Sequence, residues 1–312
     1  MITPLVFATA AIGVVVTLAV REIKASPQGA RGTAREYSLP AEVDGSGGLS
    51  EYAVATRITL DVRSPLGIAC GPDGTVYVCG EDEVVVVDES GQVLKRHAIE
   101  RPARCLAVGL DGTAYVGLDN AIVVLPADFG VQLEWAMLDE RSIITSIAVA
   151  GRRVYIADAG TRKVWEYDTG GMMLGLIDRD FIIPSPFFDV ALDPRGSLWI
   201  ADTGRHTLLQ VGADGEVLST WGESAMDVNG FSGCCNPAHF AILPDGRIVT
   251  AEKGLQRIKL HSATGEFAGL IAPTKALGGV PEGLDIAVSV SGEIFVLHST
   301  SGEILKYSRE GA

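Results

Sequence analysis

Beyond about residue 65 the apolar positions fall in short runs, and clusters of Gly, Pro, Asp and Ser separate one run from the next. The runs are rich in Val, Ile, Leu, Tyr and Trp, the composition of half-buried and buried strands. No stretch holds a 3.6-residue period long enough for a helix, which excludes a helical solenoid. The runs repeat. An alanine opens each unit, at Ala69, Ala107, Ala148, Ala191, Ala241 and Ala287, with intervals of 38, 41, 43, 50 and 46 residues. The units read GIACGPDGTVYVCG, CLAVGLDGTAYVGL, SIAVAGRRVYIAD, DVALDPRGSLWIAD, HFAILPDGRIVTAE and DIAVSVSGEIFVLH.

Each unit carries a strand, a turn such as Pro72-Asp73-Gly74 or Pro244-Asp245-Gly246, and a second strand. Pro presets φ in such a turn and Gly accepts φ > 0. Further strands follow, for example Lys163 to Tyr167. Four strands in about 40 residues make a propeller blade, and blades bury their two faces only against one another. The expected fold is therefore all-β, a six-bladed β-propeller. The last unit supplies only three strands before the chain ends at Ala312. The fourth is expected from Ala53–Val62 (AVATRITLDV), which would close the ring and remove an open edge.

The first twenty residues follow a different pattern. They carry no charged side chain, and Leu5–Val20 is apolar or small throughout. Twenty helical residues span about 30 Å, the hydrocarbon thickness of a bilayer. A secretory signal peptide is the competing reading, but no basic residue precedes the run and Ile23-Lys24-Ala25 is a poor cleavage site. The expected organisation is a single transmembrane helix over residues 1–20, a flexible linker rich in Gly and Ser over 21–52, and the propeller over 53–312. Arg21, Lys24, Arg31 and Arg35 follow the helix, so the positive-inside rule would keep the propeller in the cytoplasm.

Charge and cysteines narrow the partners. The formal net charge is −14, which disfavours nucleic acid. The five cysteines are Cys70, Cys79, Cys105, Cys234 and Cys235, without a CxxC pair. Five histidines, of which only His239 and His298 stand near the expected axis, fall short of a three-histidine metal site. Gly-Ser-Gly-Gly in the linker lacks the strand and the GK[ST] of a phosphate loop, so no cofactor and no metal are expected.

The fourth unit, DVALDPRGSLWIADTGRHTLLQV, resembles an NHL repeat, and Ala157-Asp158-Ala159-Gly160 is close to the same pattern. The resemblance covers Pro65 to the C-terminus. It implies a propeller and, by analogy with anchored bacterial members, an extracytoplasmic propeller, against the charge rule. GFSGCCNPAHFAILPDGRIVTAEKG (Gly230–Gly254) is similar to a group of uncharacterised bacterial NHL proteins with a Cys-Cys-Asn-Pro element, a group that implies no activity.

Equivalent repeat positions project to equivalent places around the axis. Two residues before the anchoring alanines stand Gly67, Cys105, Ser146, Asp189, His239 and Asp285. Asp189, His239 and Asp285 are expected at the channel mouth, as ligand-binding groups or as solvated channel residues. A second ring is Gly80, Leu118, Asp158, Asp202, Glu252 and His298. There the aspartates should brace turns, while Glu252 is a candidate to complete a cluster with His239. Cys234 and Cys235 belong to a shaped loop, expected near His239 as ligand-binding groups, with metal-binding, redox-active and packed thiols all open. Two functions stand open. One is a membrane-tethered scaffold that binds a protein or small ligand at the propeller face. The other is a metal-assisted hydrolase or lyase using Asp189, His239, Glu252 and Asp285. No catalytic residue is assigned.

Overall fold

The computed structural model describes residues 48–135, 139–212, 214–278 and 283–311. The expected anchor and most of the linker lie outside the described residues. Among the described residues no helix is long and apolar enough to cross a membrane.

Six four-stranded antiparallel sheets form the blades. Blade 1 holds β2 (Gly67–Cys70), β3 (Val76–Cys79), β4 (Glu83–Val87) and β5 (Val93–Ala98). Blade 2 holds β6 (Cys105–Val108), β7 (Ala114–Gly117), β8 (Ile122–Leu125) and β9 (Leu133–Trp135). Blade 3 holds β10 (Ile144–Ala150), β11 (Arg153–Asp158), β12 (Lys163–Asp168) and β13 (Met173–Ile177). Blade 4 holds β14 (Val190–Leu192), β15 (Leu198–Asp202), β16 (Thr207–Val211) and β17 (Val217–Trp221). Blade 5 holds β18 (His239–Ile242), β19 (Ile248–Ala251), β20 (Ile258–His261) and β21 (Phe267–Ala272). Blade 6 holds β22 (Leu284–Val288), β23 (Ile294–His298) and β24 (Glu303–Arg309), and its outer strand is β1 (Tyr52–Thr59) from the start of the described chain.

The closing strand thus lies where the sequence places it. β1 pairs antiparallel with β24 from Tyr52↔Arg309 to Thr59↔Glu303. The chain is clasped once more just before β1: the Ser50 amide donates to the Leu270 carbonyl (2.8 Å) and the Leu270 amide to Gly48 (3.0 Å). Both ends of the ring are thereby fixed without leaving β24 as a bare edge.

The turns obey local chemistry. Asp73, Asp111, Asp193 and Asp245 each accept from the backbone amide two residues on. Gly74 and Gly246 then take φ of +84° and +88°, a region closed to most side chains. The innermost strands crowd the axis around a channel cavity of about 240 Å³. Small side chains suit that crowding, and Ala69, Ala107, Ala148, Ala241 and Ala287 are all buried. The core is a series of slabs between blades. Val84, Val86, Leu106, Val116 and Leu125 belong to the slab between blades 1 and 2. The slab between blades 4 and 5 is the smallest among the described residues, with Trp199, Ala201, Leu208, Phe240 and Ile248 buried.

Candidate functional site: the channel mouth

Each inner strand is the edge of its sheet, so some of its amides face the neighbouring blade with no ladder partner. The residue two before the anchoring alanine answers this need in three of the blades. Ser146 Oγ accepts from Val190 N of blade 4 (3.3 Å). Asp189 Oδ2 accepts from Phe240 N of blade 5 (2.8 Å), and Asp285 Oδ2 from Ile68 N of blade 1 (2.9 Å). The Oδ1 atoms take the next amides along, Val190 N (2.9 Å) and Ile286 N (2.8 Å). Two carboxylates are in this way locked at the rim by backbone alone.

His239, on the blade between them, closes the group. Its Nδ1 lies 3.3 Å from Asp285 Oδ1 and 3.6 Å from Asp189 Oδ2. Burial by itself would lower the imidazole pKa, but Asp285 and then Asp189 outweigh it and raise it to about 9. Burial pushes the Asp285 carboxyl up to about 6, against the opposing pull of His239. At neutral pH His239 is an imidazolium held on one nitrogen by two carboxylates. No hydrogen bond to a described residue occupies its Nε2.

Above His239 opens a cavity of about 740 Å³. Leu66, Leu284, Pro186 and Phe187 give it apolar walls, and Arg104 and Lys253 bring cations to it. Phe187 meets the His239 ring edge-on, with centroids 5.9 Å apart. Lys253 Nζ lies 4.3 Å from the Phe187 centroid and donates to Ser185 Oγ (3.2 Å). Phe187, Lys253 and Arg104 were not singled out by the repeat alignment, because they sit on connections whose lengths vary from blade to blade. Lys253 had one signal, its place in the Glu-Lys-Gly string.

The structure brings Asp189, His239 and Asp285 together. It does not bring Glu252 to them. Glu252 is fully buried behind the rim, paired with Arg257 Nη2 (2.9 Å) and Lys259 Nζ (2.9 Å). Both cations belong to the next strand and the turn before it, and they reach back across that turn. Lys259 also donates to the carbonyls of Gly230 (2.7 Å) and Val228 (3.2 Å), so this cluster supports the loop before β18. Burial lowers the Lys259 pKa, with Glu252 opposing.

Cys234 and Cys235 do lie in a loop ahead of β18, but neither is among the described residues lining the mouth. Cys235 is buried and accepts from Ser185 Oγ (2.9 Å), so it stands behind the Ser185–Phe187 segment instead of against His239. Asn236 ties the two ends of the Gly230–Gly254 string together: its carboxamide accepts from Lys253 N (2.9 Å) and donates to Lys253 O (3.0 Å). In the second ring, Asp158 accepts from Ser142 Oγ (2.7 Å), Thr161 Oγ1 (2.6 Å) and Ile143 N (2.9 Å), and Asp202 from Ile182 N (2.9 Å), which braces their turns. His298 has its Nε2 buried without a partner among the described residues. Among the described residues no group of three or more His, Cys, Asp or Glu is arranged to hold a metal ion.

No protein-family model matches the chain, and no curated protein matches it. Among solved structures it is similar to a streptogramin B lyase, at 14% identity and a TM-score of 0.60, over 82% of this chain and 97% of that one. It is similar to virginiamycin B lyase from Staphylococcus aureus, at 14% identity and a TM-score of 0.57, over 84% and 90% of the two chains. A chain of the mitotic checkpoint complex matches at 12% identity and a TM-score of 0.61, over 82% and 91%. At such identities the likeness is one of fold: this chain is a six-bladed β-propeller whose relatives in shape include both enzymes and assembly components.

Proposed function

We propose that the chain is a binding scaffold of the NHL kind that takes an anionic group, from a small organic acid or an acidic protein side chain, at the channel mouth. The observation that carries this reading is His239, an imidazolium fixed on Nδ1 with Nε2 free, at the base of a cavity that also receives Lys253 and Arg104, the latter paired through Nε with Asp119. The acceptors of the rim are already used: all four oxygens of Asp189 and Asp285 take backbone amides. Donors are left for a ligand, and Phe187, Pro186, Leu66 and Leu284 would cover its apolar part. In a chain of net charge −14 such a donor-rich pocket is a local exception.

The scaffold is held at a membrane by residues 1–20, with the residues up to the Gly48–Ser50 clasp as linker and the ring from that clasp onward as the extracytoplasmic propeller. What supports the anchor is the uncharged run Leu5–Val20; the outward side rests on the analogy with anchored bacterial NHL proteins. Fractionation followed by protease treatment of intact cells tests it; a propeller in the soluble fraction, or one shielded from external protease, counts against it.

The binding reading is tested by calorimetry with benzoate and short aliphatic dicarboxylates on the full chain. Binding that is weakened at least tenfold in both His239→Gln and Lys253→Met is expected. Equal binding by wild type and both variants, or a preference for amines, contradicts it.

One observation favours an enzyme at the same mouth. A histidine held on Nδ1 by carboxylates and lining a cavity is the arrangement of a general acid. A metal-assisted version would have only Asp189, His239 and Asp285 to draw on, without Glu252, and among the described residues these are not arranged as metal ligands. Elemental analysis after soaking in magnesium, manganese and zinc salts separates the two: stoichiometric retained metal supports the enzyme, and none counts against its metal-assisted form.

A further inference from the structure

In an extended strand, adjacent side chains point to opposite faces. Cys234 and Cys235 do not: their sulfurs lie 3.2 Å apart. The loop is built to put them there. Gly233, at φ +80°, turns the chain immediately before the pair. Asn236 fixes it immediately after, donating to Ser232 O (2.5 Å) and Lys253 O (3.0 Å) and accepting from Lys253 N (2.9 Å). The two thiols are therefore held together before any bond forms, and little chain entropy remains to be lost on joining them.

The two thiols also differ. Cys234 is exposed, whereas Cys70 is half-buried and Cys79, Cys105 and Cys235 are buried. Cys235 receives the Ser185 hydroxyl proton at 2.9 Å, and Ser185 in turn accepts from Lys253 Nζ at 3.2 Å. An exposed thiol beside a buried one with a hydroxyl and a cation behind it is the layout of an attacking and a resolving cysteine.

We propose that Cys234 and Cys235 are a reversible oxidation site, closing to a disulfide between adjacent residues by exchange with a small-molecule disulfide. The exposed Cys234 thiolate attacks one sulfur of the oxidant; the S–S bond of the oxidant breaks, and one thiolate leaves. Cys235, having given its proton to solvent, then attacks Cys234 Sγ. The bond between Cys234 and the oxidant fragment breaks, the Cys234–Cys235 bond forms, and a second thiolate leaves. Two protein thiols are oxidised and one external disulfide is reduced to two thiols.

The product is strained. Adjacent Cα atoms are about 3.8 Å apart across a trans peptide, whereas disulfides usually span at least about 4.4 Å. Strain of this kind makes a disulfide easy to reduce, which suits a bond that opens and closes. Burial raises the Cys235 thiol above its ordinary pKa, with Ser185 and Lys253 opposing. Ring closure is therefore faster at alkaline pH.

The test is thiol mapping of the reduced full chain after incubation with oxidised glutathione. The peptide carrying both residues is expected to lose two hydrogens without keeping glutathione, and reduced glutathione alone should restore it. In Cys235→Ala the same treatment should stop at a glutathione adduct on Cys234. A wild-type chain that stays fully reduced, or that keeps the adduct on Cys234 without closing, overturns the proposal. So does a disulfide joining either residue to Cys70, Cys79 or Cys105.

Discussion

The junction of blades 1 and 2 and the junction of blades 4 and 5 solve one problem in opposite ways. At the rim of the first stand Gly67 and Cys105, and blade meets blade by close approach: a Cβ on Gly67 would lie 2.8 Å from Cys105 Cα. Behind them runs a broad apolar slab with Leu106, Val116 and Leu125. At the rim of the second, Asp189 bridges to Phe240 N, the apolar slab is small, and a buried ionic cluster of Glu252, Arg257 and Lys259 holds the adjoining loop. A repeat fold needs only that each junction be closed. Where packing closes it, the rim is chemically blank. Where polar groups close it, the rim carries charge that a ligand can use.

The contrast is broken most severely at Glu252. Glu252→Ala would leave two buried cations without their counter-charge, an expected loss of about 3–5 kcal/mol in urea unfolding. A loss under about 1 kcal/mol would mean that water replaces the carboxylate and that the junction does not depend on the cluster. Smaller and more diagnostic is a pair at the two rims. Gly67→Ala forces backbone apart and should cost about 1–3 kcal/mol. Asp189→Ala should cost a similar amount, about 1–3 kcal/mol, by stranding the Phe240 amide. Asp189→Asn keeps an acceptor for that amide and should recover much of the loss, while no polar substitution rescues Gly67.

The different legibility of these junctions has a physical reason. The six anchoring alanines, the turn chemistry and the closing strand are local patterns repeated six times, so the ring could be read from spacing alone. The rim could be read too, because Asp189, His239 and Asp285 share one repeat position. Glu252 takes the position of Asp158 and Asp202 but departs from their aspartate, and its place at the end of the second strand beside His239 is what suggests a cluster with that residue. Its true partners, Arg257 and Lys259, point inward only because the loop over residues 222–238 covers them and offers the carbonyls of Val228 and Gly230. That loop is the longest connection between blades among the described elements, so periodicity says nothing about its path. Phe187 and Ser185 escaped because they sit on another connection of variable length, between β13 and β14, and Lys253 was marked only by its Glu-Lys-Gly string.

The gentlest perturbation is pH. Folding raises the His239 pKa from 6.5 to about 9, so the protonated form favours the native state. Its contribution is whole below pH 6.5 and is lost as pH rises through 9. Asp285, raised from 3.8 to about 6, acts in the same direction in a lower window: what it contributes below pH 3.8 is lost as pH rises through 6. The stability gap between wild type and His239→Gln should therefore narrow between pH 6.5 and 9. At the blade 1–2 rim no titratable pair faces the channel at the equivalent positions, and the gap between wild type and Gly67→Ala should stay flat over the same range.

The most direct measurement is a nitrogen-15 NMR titration of the histidine side chains, with His239 assigned by substitution. The account predicts an imidazolium, protonated on both nitrogens at neutral pH and titrating near 9, with Nε2 moving when benzoate is added and Nδ1 nearly still. A His239 that is neutral at pH 7.5, or that titrates at or below 6.5, would contradict the claim that the mouth is built around a fixed cation.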